Sequence, residues 1–379
     1  MIQDVVILGA TGNVGSEVVR QIIGRGDTDR TRHENPTRII GLTSGERSGF
    51  KSVYSPSGLE HRQCFDFIEG RGNNAAGNGN LADLLEAALA APGNEDGHRV
   101  YVDTTPVNRP MTDFHLRVIN TTNFGIVTAN KNPVALSTYP EFEQLVDHPR
   151  LYGYRSTVMA GAEAVTLLQD LRDVNDRPSL IQGCFSGTLG YIITELEKCR
   201  QFSSVLQEAK EKGYTETDSR DDLSGLDVAR KLIVLARTIG YPVERTDVTV
   251  EPFIPKEYFR DEPEADFLRS AASLDCYFDQ MMRRAKGEEL SLRYVAQMKV
   301  DDKHDSPNEI KLEVRLQMVP SDSPLGVLKG TLNKLLLVSE TYPAEKPYTI
   351  EAPGAGPGVT AQNIRRDLLY LLKERKHIP

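Results

Sequence analysis

The spacing of apolar residues changes several times along the chain, and each change predicts an element. Residues 3–9 (QDVVILG) form a short Val/Ile-rich run stopped by glycine, as a buried parallel strand does. Residues 16–23 (SEVVRQII) then repeat their apolar positions with helical spacing. After a polar stretch at 25–38, RIIGL predicts a second strand and RGNNAAGNGN (71–80) a mobile loop. LADLLEAALAA then predicts a helix, RVYVDTT a strand, and FGIVTANK a further strand ending in polar residues. Strands alternating with helices predict a doubly wound parallel sheet, an α/β fold, over residues 1–137.

The middle of the chain has a different texture. Residues 165–171, 189–198 and 226–239 have helical spacing, strongest in LDVARKLIVLARTI. Residues 289–300 and 310–319 alternate polar and apolar positions, which predicts two half-buried strands. The end, PGAGPGVTAQNIRRDLLYLL, predicts a glycine-rich turn running into an amphipathic helix. No internal repeat is visible.

Composition narrows the function classes. A chain of 379 residues exceeds the usual single domain. With 39% hydrophobic and 26% charged residues it is neither disordered nor fibrous. The net charge of −9 offers no basic footprint, so no nucleic-acid partner is expected. The four cysteines show no C-x-x-C spacing, so reduced and mostly buried thiols are expected. No apolar run approaches the ~20 residues of a membrane span, and no basic segment opens a signal peptide, which predicts a cytoplasmic protein.

The clearest chemistry lies at the start. Gly9-Ala10-Thr11-Gly12-Asn13-Val14-Gly15 sits between a predicted strand and helix, where glycines let backbone approach a pyrophosphate at the helix N-terminus. A merely structural tight turn is the alternative. The second strand ends Gly41-Leu42-Thr43-Ser44-Gly45-Glu46-Arg47, with no carboxylate at its tip to take a ribose 2′-hydroxyl. Arg47 suits a 2′-phosphate, favouring NADP with NAD possible; a solvated loop arginine competes. Farther on, an acidic run at 213–222 leads into a helix on which Asp227 and Lys231, four apart, share a face. Alone, this reads equally as an exposed ion pair.

Residues 209–237 (AKEKGYTETDSRDDLSGLDVARKLIVLAR) closely resemble the substrate-site signature of homoserine dehydrogenase. GCFSGTLGYI (183–192), Thr128-Ala129-Asn130-Lys131 and GAGPGVTA (354–361) agree and follow in family order. The chain looks most like the dehydrogenase part of bifunctional aspartate kinase–homoserine dehydrogenases, without the kinase. The resemblance implies a Rossmann dinucleotide-binding domain at 1–137, an α+β substrate-binding and dimerisation domain at 138–352, and a C-terminal helix at 353–379 returning to the first. It implies reversible hydride transfer between L-homoserine and L-aspartate 4-semialdehyde, a small-molecule amino-acid substrate, and a homodimer.

Carried over residue by residue, Glu216 and Asp222 would hold the substrate's ammonium and hydroxyl ends, with Gly187, Thr188 and Tyr214 shaping the pocket. Lys231, oriented by Asp227, would move the hydroxyl proton, and Lys131 would be a second lysine at the reacting centre. Cofactor contacts would come from Gly9, Thr11, Gly12, Asn13, Val14, Arg47, Thr104 and Gly356. The family's cation-binding loop is altered: Arg155 stands for its glutamate and Met159 for its first glycine, and Ala162-Glu163 replaces Leu-Pro. The monovalent cation site is therefore expected to be lost, with Arg155 taking the cation's place among the Val158 and Ala160 carbonyls or pointing to solvent. The altered loop leaves two alternatives: a relative acting on another amino-acid semialdehyde, and a cofactor-binding regulator without turnover.

Overall fold

The computed structural model describes residues 2–33, 36–71, 75–91, 98–148, 151–301 and 309–375. It divides into two compact units, Met1–Gly161 with Ala355–Pro379, and Ala162–Gly354. In chain order the first unit holds β1 (Gln3–Leu8), α1 (Asn13–Gly24), β2 (Thr37–Thr43), β3 (Lys51–Tyr54), α2 (His61–Ile68), β4 (Ala76–Gly77) and α3 (Leu81–Ala90). It continues with β5 (His98–Asp103), α4 (Arg109–Thr121), β6 (Gly125–Thr128), α5 (Asn132–Leu136), α6 (Tyr139–Val146) and β7 (Tyr152–Gly153).

These strands form one sheet in the order β4-β3-β2-β1-β5-β6-β7. The five from β2 to β7 run parallel, while β3 and β4 add an antiparallel edge. All six residues of β1 are buried, as a strand covered on both faces requires. The C-terminal helix (Pro357–Arg375) packs on α1, its Ala361, Ile364, Leu368 and Leu371 joining Val18 and Ile22 in one apolar core. The first unit runs past residue 137 because β7 pairs with β6, Ile126 opposite Tyr152. Within the loop at 71–80, residues 72–74 lie outside the described residues, and Ala76–Gly77 pairs with β3.

The second unit holds α7 (Ala164–Asp173), β8 (Leu180–Cys184), α8 (Gly187–Leu196), α9 (Phe202–Glu211), α10 (Ser219–Leu223), α11 (Leu226–Thr238) and β9 (Val248–Val250). Then come α12 (Glu264–Ser270), α13 (Asp275–Gly287), β10 (Leu290–Asp301), β11 (Glu309–Pro320), β12 (Leu332–Val338) and β13 (Tyr348–Pro353). Its sheet runs β13-β12-β8-β10-β11-β9.

Two expectations differ here. Ser291–Ala296 of β10 is buried without interruption, so that stretch is not half-buried. Arg293 lies within it because its guanidinium is saturated, donating to the Leu325 carbonyl at 2.9 Å and the Leu328 carbonyl at 2.8 Å and pairing with Glu197 at 2.7 Å. Of the four free thiols only Cys64 and Cys184 are buried; Cys199 is exposed in the turn after α8 and Cys276 on the solvent side of α13.

Candidate active site

The glycine turn after β1 is built for close approach. Gly9 has φ +80°, and a Cβ there would lie 3.2 Å from Thr104 Oγ1 and 3.1 Å from Thr105 Cγ2. A Cβ on Gly15 would fall 2.3 Å from the Gly9 carbonyl oxygen, so glycine there lets α1 press against the turn. The Thr104 hydroxyl donates to the Leu8 carbonyl at 2.8 Å and braces the strand end. Gly12 caps α1 without a side-chain acceptor for its first N–H groups, and Gly12 and Asn13 are exposed while Thr11 and Val14 are partly covered. Free N–H groups at the start of a twelve-residue helix fit a pyrophosphate.

The other cofactor candidates are spread around this unit. Arg47 is exposed in the turn after β2, with no ion pair among the described residues, and neighbouring Ser48 places its hydroxyl 3.5 Å from that of Thr11. Gly356, at φ +134°, precedes the C-terminal helix, and Gln21 of α1 donates to the Gly358 carbonyl at 2.9 Å. Lys131 follows β6 at the head of α5, half-buried.

In the second unit, one knot gathers most of the substrate candidates. Gly187 and Thr188 open α8, capped by the Ser186 hydroxyl, which accepts from the Leu189 N–H at 3.2 Å. The Thr188 hydroxyl lies 2.6 Å from the Tyr214 carbonyl and 3.0 Å from Asp222 Oδ1. The Glu216 N–H donates to Asp222 Oδ2 at 2.8 Å. Burial pushes the Asp222 carboxyl up to about 6, and the negative charges of Glu216 and Asp227 add to that push. The Glu216 side chain is exposed, and the exposed Tyr214 ring packs edge-on against Tyr191, centroids 5.0 Å apart.

Lys231 is one turn along α11 from Asp227, and its ammonium lies 2.8 Å from Asp227 Oδ2. It also donates to the Phe185 carbonyl at 2.6 Å. Its side chain is only 11% exposed against 38% for Asp227, so the lysine is the enclosed member of the pair. Gly225, at φ +75°, starts the helix; a Cβ there would collide with the Tyr294 hydroxyl at 1.9 Å. The 185–188 turn therefore serves both the Asp222 knot and Lys231.

The altered loop departs from both expectations for Arg155. Its guanidinium lies 3.2 Å from Asp367 Oδ1, its N–H donates to Asp367 Oδ2 at 3.0 Å, and the Tyr370 ring centroid is 4.3 Å away. Arg155 thus faces the C-terminal helix rather than solvent or the Val158 and Ala160 carbonyls. Asp367 is buried, which pushes its carboxyl up to about 7 against the pull of Arg155. Met159 is fully buried at φ +49°, so a methionine holds the backbone conformation that glycine adopts without strain. Among the described residues no group of three or more His, Cys, Asp or Glu could hold a metal ion.

Sequence reasoning missed the Phe185 carbonyl and Asp367. The first is a backbone atom, invisible in side-chain patterns. The second lies 212 residues from its partner, with no local signal.

The homoserine dehydrogenase family model matches residues 165–369. Bifunctional aspartokinase/homoserine dehydrogenase 1 of Zea mays is 36% identical over 220 residues, 58% of this chain but 23% of that protein. The chain thus spans well under two thirds of the bifunctional relatives. Homoserine dehydrogenase of Paracoccidioides brasiliensis is 32% identical over 293 residues, covering 74% of this chain and 76% of the relative. A hyperthermophilic archaeal homoserine dehydrogenase solved with NADPH shares the fold with TM-score 0.70 at 19% identity, over 100% of this chain and 99% of that one.

Proposed function

Because the chain belongs to the homoserine dehydrogenase family, we propose that it interconverts L-homoserine and L-aspartate 4-semialdehyde with a nicotinamide dinucleotide. The observation that carries this reading is the pairing of an enclosed lysine with a buried acid knot: Lys231 beside Asp227 and Phe185, and Asp222 beside Thr188, Tyr214 and Glu216. Asp222 and Glu216 supply negative charge for an amino acid's ammonium. Lys231 delivers the proton as negative charge grows on the carbonyl oxygen, and takes it back in the reverse direction. Asp227 pairs with that ammonium and aims it. Lys131 contributes a second cation to the reacting oxygen.

The cofactor supplies or accepts the hydride when bound. Gly9, Gly12, Asn13 and the first turn of α1 would hold its pyrophosphate, with Thr11, Val14, Thr104 and Gly356 around it. NADP is the preferred form: β2 ends without a carboxylate, Arg47 stands exposed after it, and the archaeal relative was solved with NADPH. Turnover needs no bound monovalent cation, since the acid of the family loop is replaced by Arg155, itself paired with Asp367.

A homodimer completes the reading. Leu180, Gln182, Gln297, Lys299, Leu336 and Val338 share one face of the second sheet by register, a mixed apolar and polar surface offered to a second copy. Light scattering on a sizing column tests this, a monomer at assay concentration being the contrary result. The activity itself is tested by homoserine oxidation with each cofactor.

A further inference from the structure

At the end of β5 stands Asp103, a fully buried carboxylate to which hydride transfer assigns no part. A charge so placed is costly unless donors surround it. One oxygen, Oδ1, accepts from the Thr105 N–H at 2.9 Å and from the Thr105 hydroxyl at 2.7 Å. Oδ2 faces the Thr128 hydroxyl at 3.4 Å, whose proton is shared with the Asn130 carbonyl at 3.1 Å, and His115 Nε2 at 3.3 Å, the latter off the line of a good hydrogen bond. Behind the buried imidazole, Nδ1 is 2.9 Å from the Tyr152 hydroxyl. Burial and the Asp103 charge hold that phenol well above its ordinary range, so it remains a neutral donor. Donation to Nδ1 puts the imidazole's proton on Nε2, facing the carboxylate.

Thr105 lies in the loop after β5, and Thr128 ends β6 where the next loop begins. The first follows Thr104, which braces the Leu8 carbonyl. The second accepts from the Asn130 N–H at 2.9 Å, next to Lys131. Asn130 donates to the Val107 carbonyl at 2.7 Å and Asn132 to that of Pro106 at 3.0 Å, so the loops are stitched along their length. Asp103 is common to both ends of the stitching: its carboxylate holds Thr105 and reaches the Thr128 hydroxyl, while its backbone carbonyl accepts from the Ala129 N–H at 2.9 Å.

Resting on the homoserine dehydrogenase reading, we propose that Asp103 is a positioning residue. It locks the 104–107 and 128–131 loops together, so that the Gly9 turn and Lys131 are held in a fixed relation before cofactor arrives. Displacements near 1 Å at a reacting centre cost about a hundredfold in rate, which gives such an anchor its leverage.

The test is Asp103→Asn in the full chain, which sets an amide NH₂ against the His115 N–H. Tyr152→Phe is the control, altering the same buried cluster while leaving the Thr105 contacts. Asp103→Asn is expected to lower kcat for homoserine oxidation by about tenfold or more. It should weaken NADPH binding in a fluorescence titration by about fivefold, with KM for homoserine within about threefold, because the amino-acid knot belongs to the second unit. Tyr152→Phe should keep kcat within about twofold even where its Tm falls as far. If Asp103→Asn does not fold, Thr105→Val, which removes one donor, should give a smaller loss of the same pattern. Loss of activity in proportion to Tm across these variants, or unchanged kcat and NADPH affinity in Asp103→Asn, overturns the proposal. A wild type that never oxidises homoserine overturns the activity reading instead, and the NADPH titration alone then decides for or against Asp103.

Discussion

Replacing Lys231 by methionine keeps most of the aliphatic stem and removes the ammonium. Two contacts go with it, the hydrogen bond to the Phe185 carbonyl at 2.6 Å and the pairing with Asp227 at 2.8 Å. A hydrogen bond from a charged donor to an enclosed carbonyl is worth about 1.5–3 kcal/mol. Asp227 is 38% exposed and rehydrates, so its share is small. At roughly 2–4 °C per kcal/mol for a unit of this size, Tm should fall by about 3–12 °C, leaving the variant folded in an assay at 25 °C. The catalytic loss is larger. Without a proton donor at the carbonyl oxygen, kcat should drop by ~10² to 10⁴-fold. NADPH affinity should not move, because the dinucleotide candidates belong to the first unit. Lys231→Arg sharpens the comparison: it restores the charge and much of the Tm, but a guanidinium gives up no proton near neutral pH, so kcat stays low. Stopped initial rates, circular dichroism melts and fluorescence titration on the three proteins suffice. A folded Lys231→Met keeping more than about a tenth of wild-type kcat would refute the reasoning and make the lysine a structural ion-pair residue.

Asp222, pushed up to about 6, must be ionised to hold an ammonium, so kcat/KM for homoserine should fall as pH drops below about 6, by about tenfold per unit. The same shift means the native state keeps this proton longer than the unfolded chain, so Asp222's contribution to stability declines as pH rises from about 4 to about 6; Asp222→Asn should flatten both profiles. For Arg47→Ala, we expect the NADP-over-NAD preference in Kd to shrink with NAD affinity unchanged, whereas equal weakening of both would mean that Arg47 only supports its loop. Activity should not respond to Na⁺ or K⁺ at constant ionic strength, and Arg155→Met, which removes the cation holding the Asp367 carboxyl down, should push that carboxyl above about 7 so that it is buried neutral, with a loss in denaturant unfolding below the ~3–5 kcal/mol of a stranded charge. Met159→Gly relieves about 1–2 kcal/mol of left-handed strain but empties a fully buried site worth about 2–5 kcal/mol, so a net loss is expected, and a gain in stability would show the packing argument wrong.

What the sequence disclosed was local. The strand, glycine turn and helix of 3–24 are contiguous, so the motif was legible, although the Thr104 and Thr105 side chains that crowd Gly9 come from far along the chain. Asp227 and Lys231 share a helix, so their pairing follows from the helical period. Burial along β10 did not follow, because Arg293 sits inside the unit on acceptors from the 325–328 turn that alternation cannot reveal. Nor did the end of the first unit, since β7 is two residues long and carries no period at all. Arg155 was visible as an oddity, yet its partner Asp367 sits in a helix whose surroundings only the folded chain defines.

The proposed activity is tested most simply by oxidation of L-homoserine with NADP⁺, followed as reduced nicotinamide appears and with the product trapped and identified. Saturable turnover in the range of roughly 1–10³ s⁻¹ is expected, with aspartate 4-semialdehyde as product and loss of that turnover in Lys231→Met while NADPH binding stays intact. A wild-type protein that binds NADPH tightly but forms no semialdehyde from homoserine would contradict the proposed activity.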